Sequence, residues 1–101
     1  MSKYKWLESE EDCAYYGKRV SMSGAGESKG DYVGEGYYED LVIENKFTEK
    51  ESYSLKVTTL EKAARDGRQY GKKFALRLDF NGRVYMLQEE DQFRRVYESN
   101  P

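Results

Sequence analysis

A chain of 101 residues is long enough for one domain with a single modest core, and 15% aromatic content with ten tyrosines sets it apart from disordered chains despite 36% charged residues. With no histidine and only Cys13, Ser-His-Asp and Cys-His catalysis, histidine-ligated zinc and an internal disulfide are excluded. Any metal would be held by oxygens, which points to magnesium, calcium or manganese. The net charge is −2, but residues 1–45 carry five Lys/Arg against ten Asp/Glu (−5) and residues 46–101 carry twelve against nine (+3). A metal-dependent enzyme acting on an anionic polymer would show this asymmetry, and so would solvated faces of uneven sign.

Residues 3–16 predict a helix that carries Trp6, Leu7, Cys13 and Ala14, has an acidic middle and stops at Gly17. The stretch KRVSM reads as a short strand, SGAGESKGD as a Gly/Ser loop, and Asp31–Val33 as another strand, followed by a turn at GEG. Leu41–Phe47 is an apolar strand with charges inside it. Ser52 or Ser54 is expected to cap a helix from about Leu55 with Val57, Leu60 and Ala64 on its apolar face. FALRLDF alternates cleanly, Asn81-Gly82 is a hairpin signal, and RVYML returns. Asp91 is expected to cap a last helix that buries Phe93, Val96 and Tyr97. The order helix, three strands, helix, two strands, helix is that of one α+β or α/β domain with a mixed sheet. No apolar run approaches the roughly 18 residues of a membrane span, and MSKYKWLESEED does not read as a signal peptide. No membrane partner is therefore expected, and the cytoplasm is the expected location.

Within Leu41–Phe47, Glu44 and Lys46 share one face of the strand. Asp31, at the start of a strand that can pair with this one, would bring a second carboxylate close to Glu44, an arrangement unfavourable unless a cation sits between them. A solvated hairpin with ordinary surface charges fits the same spacing. Glu27-Ser28-Lys29 repeats the Glu-x-Lys pattern without an apolar frame.

The succession SMSGAGESKGD, then LVIENKFTEKESYSLKVTTLEKAARDGRQYGKKFALRLDF, resembles the PD-(D/E)xK nuclease superfamily. More narrowly, it is similar to archaeal-type Holliday junction resolvases and their small phage-encoded relatives, from about Glu10 to Phe80. The resemblance implies a restriction-endonuclease-like fold, with a central mixed sheet flanked by helices, in a Mg²⁺-dependent DNA endonuclease for which Mn²⁺ can substitute. It implies that Asp31 and Glu44 are metal ligands, with the Asn45 carbonyl as a further one, and that Lys46 is the catalytic lysine. Glu10 matches the first-helix glutamate, with Glu11 as the fallback, and Ser23 matches the loop serine. Branched or four-way-junction DNA and a homodimer are the implied partners, with Lys56, Lys62, Arg65 and Arg68 as candidates for phosphate contact. Two departures carry expectations of their own. Asn45 stands where the family has an apolar residue, so that face is expected to be partly open or covered by a partner chain. The acidic net charge favours selective recognition of a branched structure over tight unspecific binding. The rivals are a nuclease of the same superfamily acting on nicked, flapped or foreign duplex DNA, and a non-catalytic phage-encoded binding or inhibitor module.

Overall fold

The computed structural model describes residues 6–20 and 31–98. In chain order the elements are α1 (Trp6–Cys13), β1 (Gly17–Arg19), β2 (Asp31–Gly34), a 3-10 turn (Gly36–Tyr38), β3 (Leu41–Phe47), α2 (Val57–Gln69), β4 (Lys73–Phe80), β5 (Arg83–Gln88) and α3 (Glu90–Glu98). The domain is α+β, with a five-stranded mixed sheet in the order β1-β2-β3-β4-β5. β3 and β4 run parallel and the other neighbours antiparallel. A parallel pair needs a crossover, and α2 supplies it.

The alternation in FALRLDF divides the sheet into two faces. Phe74 and Leu76 pack with Ala63 of α2, flanked by Leu60, Ala64, Leu78 and Leu87. Ala75 joins Cys13, Tyr32 and Ile43 on the face covered by α1. Between β4 and β5, Asn81 and Gly82 have φ of 56° and 108°, the two left-handed residues that a tight hairpin turn requires. The Gly82 N–H donates to the Asp79 carboxylate at 2.8 Å, which fastens that turn. At the other end, the 3-10 turn folds back onto Gly34, where a Cβ would lie 1.9 Å from the Tyr38 carbonyl oxygen. Glycine is required there by close approach.

Four expectations need correction. α2 begins at Val57 with Lys56 extended at its N-cap and no side-chain cap bond, so neither Ser52 nor Ser54 caps it, and Val57 is 67% exposed. The inward residues of α2 are Ala63, Asp66 and Gly67. α3 is turned over: Gln92 is buried, while Phe93, Val96 and Tyr97 are exposed. Asp91 lies inside the first turn of α3, and its carboxylate accepts from Lys73 Nζ at 3.1 Å. Residues 21–30, with Ser23 and the second Glu-x-Lys, lie outside the described residues.

Candidate active site

β2 and β3 pair with Asp31 directly opposite Glu44. Directly opposed residues of an antiparallel pair have Cβ atoms about 4.5–5.5 Å apart on the same face, so the register alone brings the two carboxylates together. Both are buried, Asp31 at 4% and Glu44 at 8% exposure. Lys46, two residues on, returns to that face and places Nζ 3.1 Å from Glu44 Oε2. Its neighbours across the parallel pair are Leu76 for Glu44 and Leu78 for Lys46, so the charged group borders the core beneath α2.

That helix adds two charges that the sequence reading did not place here. Asp66 is buried at 6% exposure and accepts from Lys62 Nζ at 2.9 Å. The signal was present as an i, i+4 Lys-Asp pair straddling Ala63, but a stripe drawn through Val57, Leu60 and Ala64 puts Asp66 outside the core. The close approach of the helix is set at Gly67, where a Cβ would come within 2.9 Å of the Lys72 carbonyl oxygen. Lys62 is thus an arm held beside the carboxylate pair. Its own pKa is raised, chiefly by the bond to Asp66 and with added pull from Glu44 and Asp31.

The electrostatics centre on Asp31. Burial first, and the Glu44 charge second, push its carboxyl up to about 6, with Lys62 and Lys46 pulling it down and Asp66 pushing it further up. The folded protein therefore binds a proton that the unfolded chain releases near pH 4. Below that pH both states are protonated and Asp31 costs nothing; above about 6 the folded state carries the full penalty. Metal-free protein should accordingly lose up to about 3 kcal/mol of stability from this group between pH 4 and pH 7. Asp31→Asn should gain a similar amount at pH 7 and nothing at pH 4. Chemical denaturation with EDTA at the two pH values checks this, and an equal effect at both would refute the repulsion.

Glu10 does not join the pair. Tyr32 and Asn45, each one residue beyond the carboxylates, point to the opposite face, and there Tyr32 Oη donates to the Glu10 carbonyl oxygen at 2.7 Å and to Oε1 at 3.0 Å. Asn45 Nδ2 donates to Ser9 Oγ at 2.9 Å and Glu10 Oε2 at 3.2 Å, while Arg77 Nη1 donates to Asn45 Oδ1 at 2.8 Å. The sheet thus separates Glu10 from Asp31 and Glu44, and Glu11 is exposed. The expectation that Asn45 needs an open face or a partner chain is also corrected, because α1 and β4 of the same chain satisfy its amide. Cys13 is buried on this side, and burial pushes its thiol up to about 12, which removes it as a nucleophile.

Lys56, the extended N-cap of α2, and Arg65 and Arg68 on the helix are exposed. Arg68 lines a cleft with Lys72, Lys73 and Arg95, but Glu89 and Asp91 share it and hold Lys73 at 3.7 and 3.1 Å. Among the described residues no group of three or more Asp, Glu, Cys or His side chains is arranged to hold a metal ion. Two opposed carboxylates are nonetheless what magnesium takes from a protein, since it keeps several waters and binds through one or two carboxylates plus substrate phosphate. A buried aspartate beside a second carboxylate is also electrostatically short of a cation. No helix among the described residues is long and apolar enough to cross a membrane. No family model, curated protein or solved structure matches the chain.

Proposed function

We propose that this chain is a Mg²⁺-dependent DNA endonuclease, acting on branched DNA as a Holliday junction resolvase. The observation that carries the reading is the cross-strand pairing of Asp31 with Glu44, with Lys46 Nζ 3.1 Å from Glu44. Asp31 and Glu44 would hold Mg²⁺, or Mn²⁺ in its place, with the Asn45 carbonyl as a further oxygen on the same strand. When bound, the ion lowers the pKa of a water and neutralises charge on the scissile phosphate. Lys46, whose Nζ lies 3.1 Å from Glu44 Oε2, would orient the attacking water. Lys62, braced by Asp66, offers a second positive charge to the phosphate. The resemblance implies that hydrolysis leaves a 5′-phosphate. Ca²⁺ should support binding but not cutting, because its looser coordination positions the water poorly.

The deciding experiment offers purified protein with Mg²⁺ a four-way junction, a flap, single-stranded DNA and linear duplex side by side. Paired symmetric cuts in the junction are expected. Preferential cutting of the flap or the linear duplex would shift the reading to another nuclease of this kind, and no cutting of any substrate would leave a binding module. Arg65 and Arg68 are expected to contact backbone phosphates. Replacing both with alanine should flatten the log–log salt dependence of binding by about 0.9 per lost contact, read by fluorescence anisotropy across a salt series. An unchanged slope would move the DNA track to Lys72, Lys73 and Arg95.

A further inference from the structure

The face of the sheet that carries the carboxylate pair continues past the candidate site. Registered partners on adjacent strands share a face. Glu44 therefore leads through Leu76 to Leu87, and Lys46 leads through Leu78 to Tyr85. One row nearer the hairpin turn, Phe80 pairs with Arg83 on the same face. α2 covers Phe74 and Leu76, whereas Tyr85 is 58% exposed. Here Glu51, Phe80, Arg83 and Tyr85 line a pocket of about 270 Å³. Glu51 reaches it because the Thr48 N–H donates to the Asp79 carbonyl at 3.0 Å, which keeps the segment after β3 beside the end of β4. The Phe80 and Tyr85 rings stand at 73° with centroids 6.1 Å apart, two walls of a corner. Among the described residues neither Arg83 nor Glu51 is held in an ion pair.

We propose that this corner is a subsite for one unpaired DNA base close to the scissile phosphate, stacked on Tyr85; the identity of the substrate rests on the nuclease reading above. Size and chemistry select this occupant. Four side chains are far too few for a specific protein interface, and the volume lies at the small end of ligand pockets. The pocket therefore suits a single flat group. A base stacks on an aromatic ring whatever its identity. The Arg83 guanidinium at the rim donates to a base oxygen or a phosphate, and the Glu51 carboxylate accepts from an exocyclic amino group. Position agrees, since Tyr85 lies two strands from Lys46, roughly 10 Å. A phosphate at Lys46 and a base on Tyr85 then belong to the same or neighbouring nucleotides. Duplex DNA keeps its bases stacked inside, whereas a branch point frees them. The subsite thus gives a chain of net charge −2 a preference for branched DNA that attraction to phosphates alone does not supply.

A 2-aminopurine base placed unpaired at the branch of a flapped duplex reads the contact, because stacking on an aromatic ring quenches its fluorescence. In Ca²⁺ the wild type should quench the probe. Tyr85→Leu, which keeps an apolar side chain but no ring, should not, and it should bind the flapped duplex about 5- to 150-fold more weakly. Tyr85→Phe should keep both quenching and affinity. Arg83→Gln, a change at an exposed rim residue, should weaken binding of the flapped duplex independently. All three variants should bind fully paired linear duplex as the wild type does, apart from one phosphate contact in Arg83→Gln, and should melt with it. A wild type that leaves the probe unquenched would overturn the subsite. So would a Tyr85→Leu variant that quenches and binds normally, or one whose loss extends equally to linear duplex. Quenching that Tyr85→Leu abolishes supports the subsite even in a chain that cuts nothing in Mg²⁺, and in that case the nuclease reading alone falls.

Discussion

Glu44→Gln and Lys46→Ala should each slow Mg²⁺-dependent DNA cleavage by about 10²–10³-fold, while moving the stability of the metal-free protein in opposite directions. Glu44 is the largest charge raising Asp31 and is itself buried, so removing its charge relieves repulsion and should raise the melting temperature. Lys46 lies 3.1 Å from Glu44 and also lowers Asp31, so removing it leaves the two carboxylates less compensated and should lower the melting temperature. Added Mg²⁺ should then stabilise the wild type and the Lys46 variant more than the Glu44 variant, because the cation takes over the lost compensation. Single-turnover cleavage and thermal melts with and without EDTA read all of this. A Glu44→Gln variant that cuts at the normal rate would remove the site. Two variants that lose stability alike would remove the electrostatic account while leaving the chemistry open.

The same electrostatics reassign Lys62. On exposure alone it is another basic residue of α2, available to a phosphate backbone. Its bond to buried Asp66 at 2.9 Å, and its influence on Asp31, make it part of the site's charge balance instead. Two lysines and three carboxylates then border one core, with Asp31 and Glu44 contributed by the sheet and Asp66 by the helix above. Asp66 is near enough to raise Asp31 and is held by Lys62, and among the described residues the carboxylates do not form a three-ligand group.

Much of this was legible because strand signals are short-range. The strict alternation of Phe74, Leu76 and Leu78 with Ala75, Arg77 and Asp79 fixes two faces, and Asn81-Gly82 fixes the turn that follows. The apolar frame around Glu44 identifies β3, and a hairpin partner beginning at Asp31 gives the register that proves to be Asp31 opposite Glu44. Helix orientation was less legible, since it depends on contacts distant in sequence. An apolar stripe through Val57, Leu60 and Ala64 is a fair guess for α2. The residues that α2 buries are Ala63, Asp66 and Gly67, whose Cα comes close to the Lys72 carbonyl, while Val57 is exposed. On α3 the stripe was read correctly and its surroundings were not, because periodicity shows which residues lie together but not what covers them. The resemblance assigns Glu10 to the metal site as the first-helix glutamate, and nothing local shows that its partners are Tyr32 and Asn45 on the far side of the sheet.

That far side carries the largest expected loss of stability. Arg77 is 5% exposed, and its Nη1 donates to Asn45 Oδ1 at 2.8 Å and to the Ser9 carbonyl and hydroxyl oxygens at 3.3 Å, with Asp79 Oδ2 at 3.5 Å. One guanidinium thus ties α1, β3 and β4 together. Arg77→Ala would strip the cation from an Asp79 carboxylate that is 1% exposed and leave the Asn45 carbonyl oxygen without its donor. Breaking a buried pair by removing one partner costs about 3–5 kcal/mol, and for a domain of this size each kcal/mol lowers Tm by roughly 4–8 °C. The variant should therefore melt at least about 12 °C lower, and the double variant Arg77→Met/Asp79→Asn should recover part of that loss by removing the buried carboxylate charge while keeping an acceptor for the Gly82 N–H. Arg77→Lys should fall between, because an ammonium keeps the charge but not the fork that spans three elements. Asn45 lies between Glu44 and Lys46, so loosening its anchor should also lower cleavage by whatever protein remains folded. If Arg77→Ala melts within about 4 °C of the wild type, water has replaced the guanidinium, and the clamp from α1 to the candidate site does not exist.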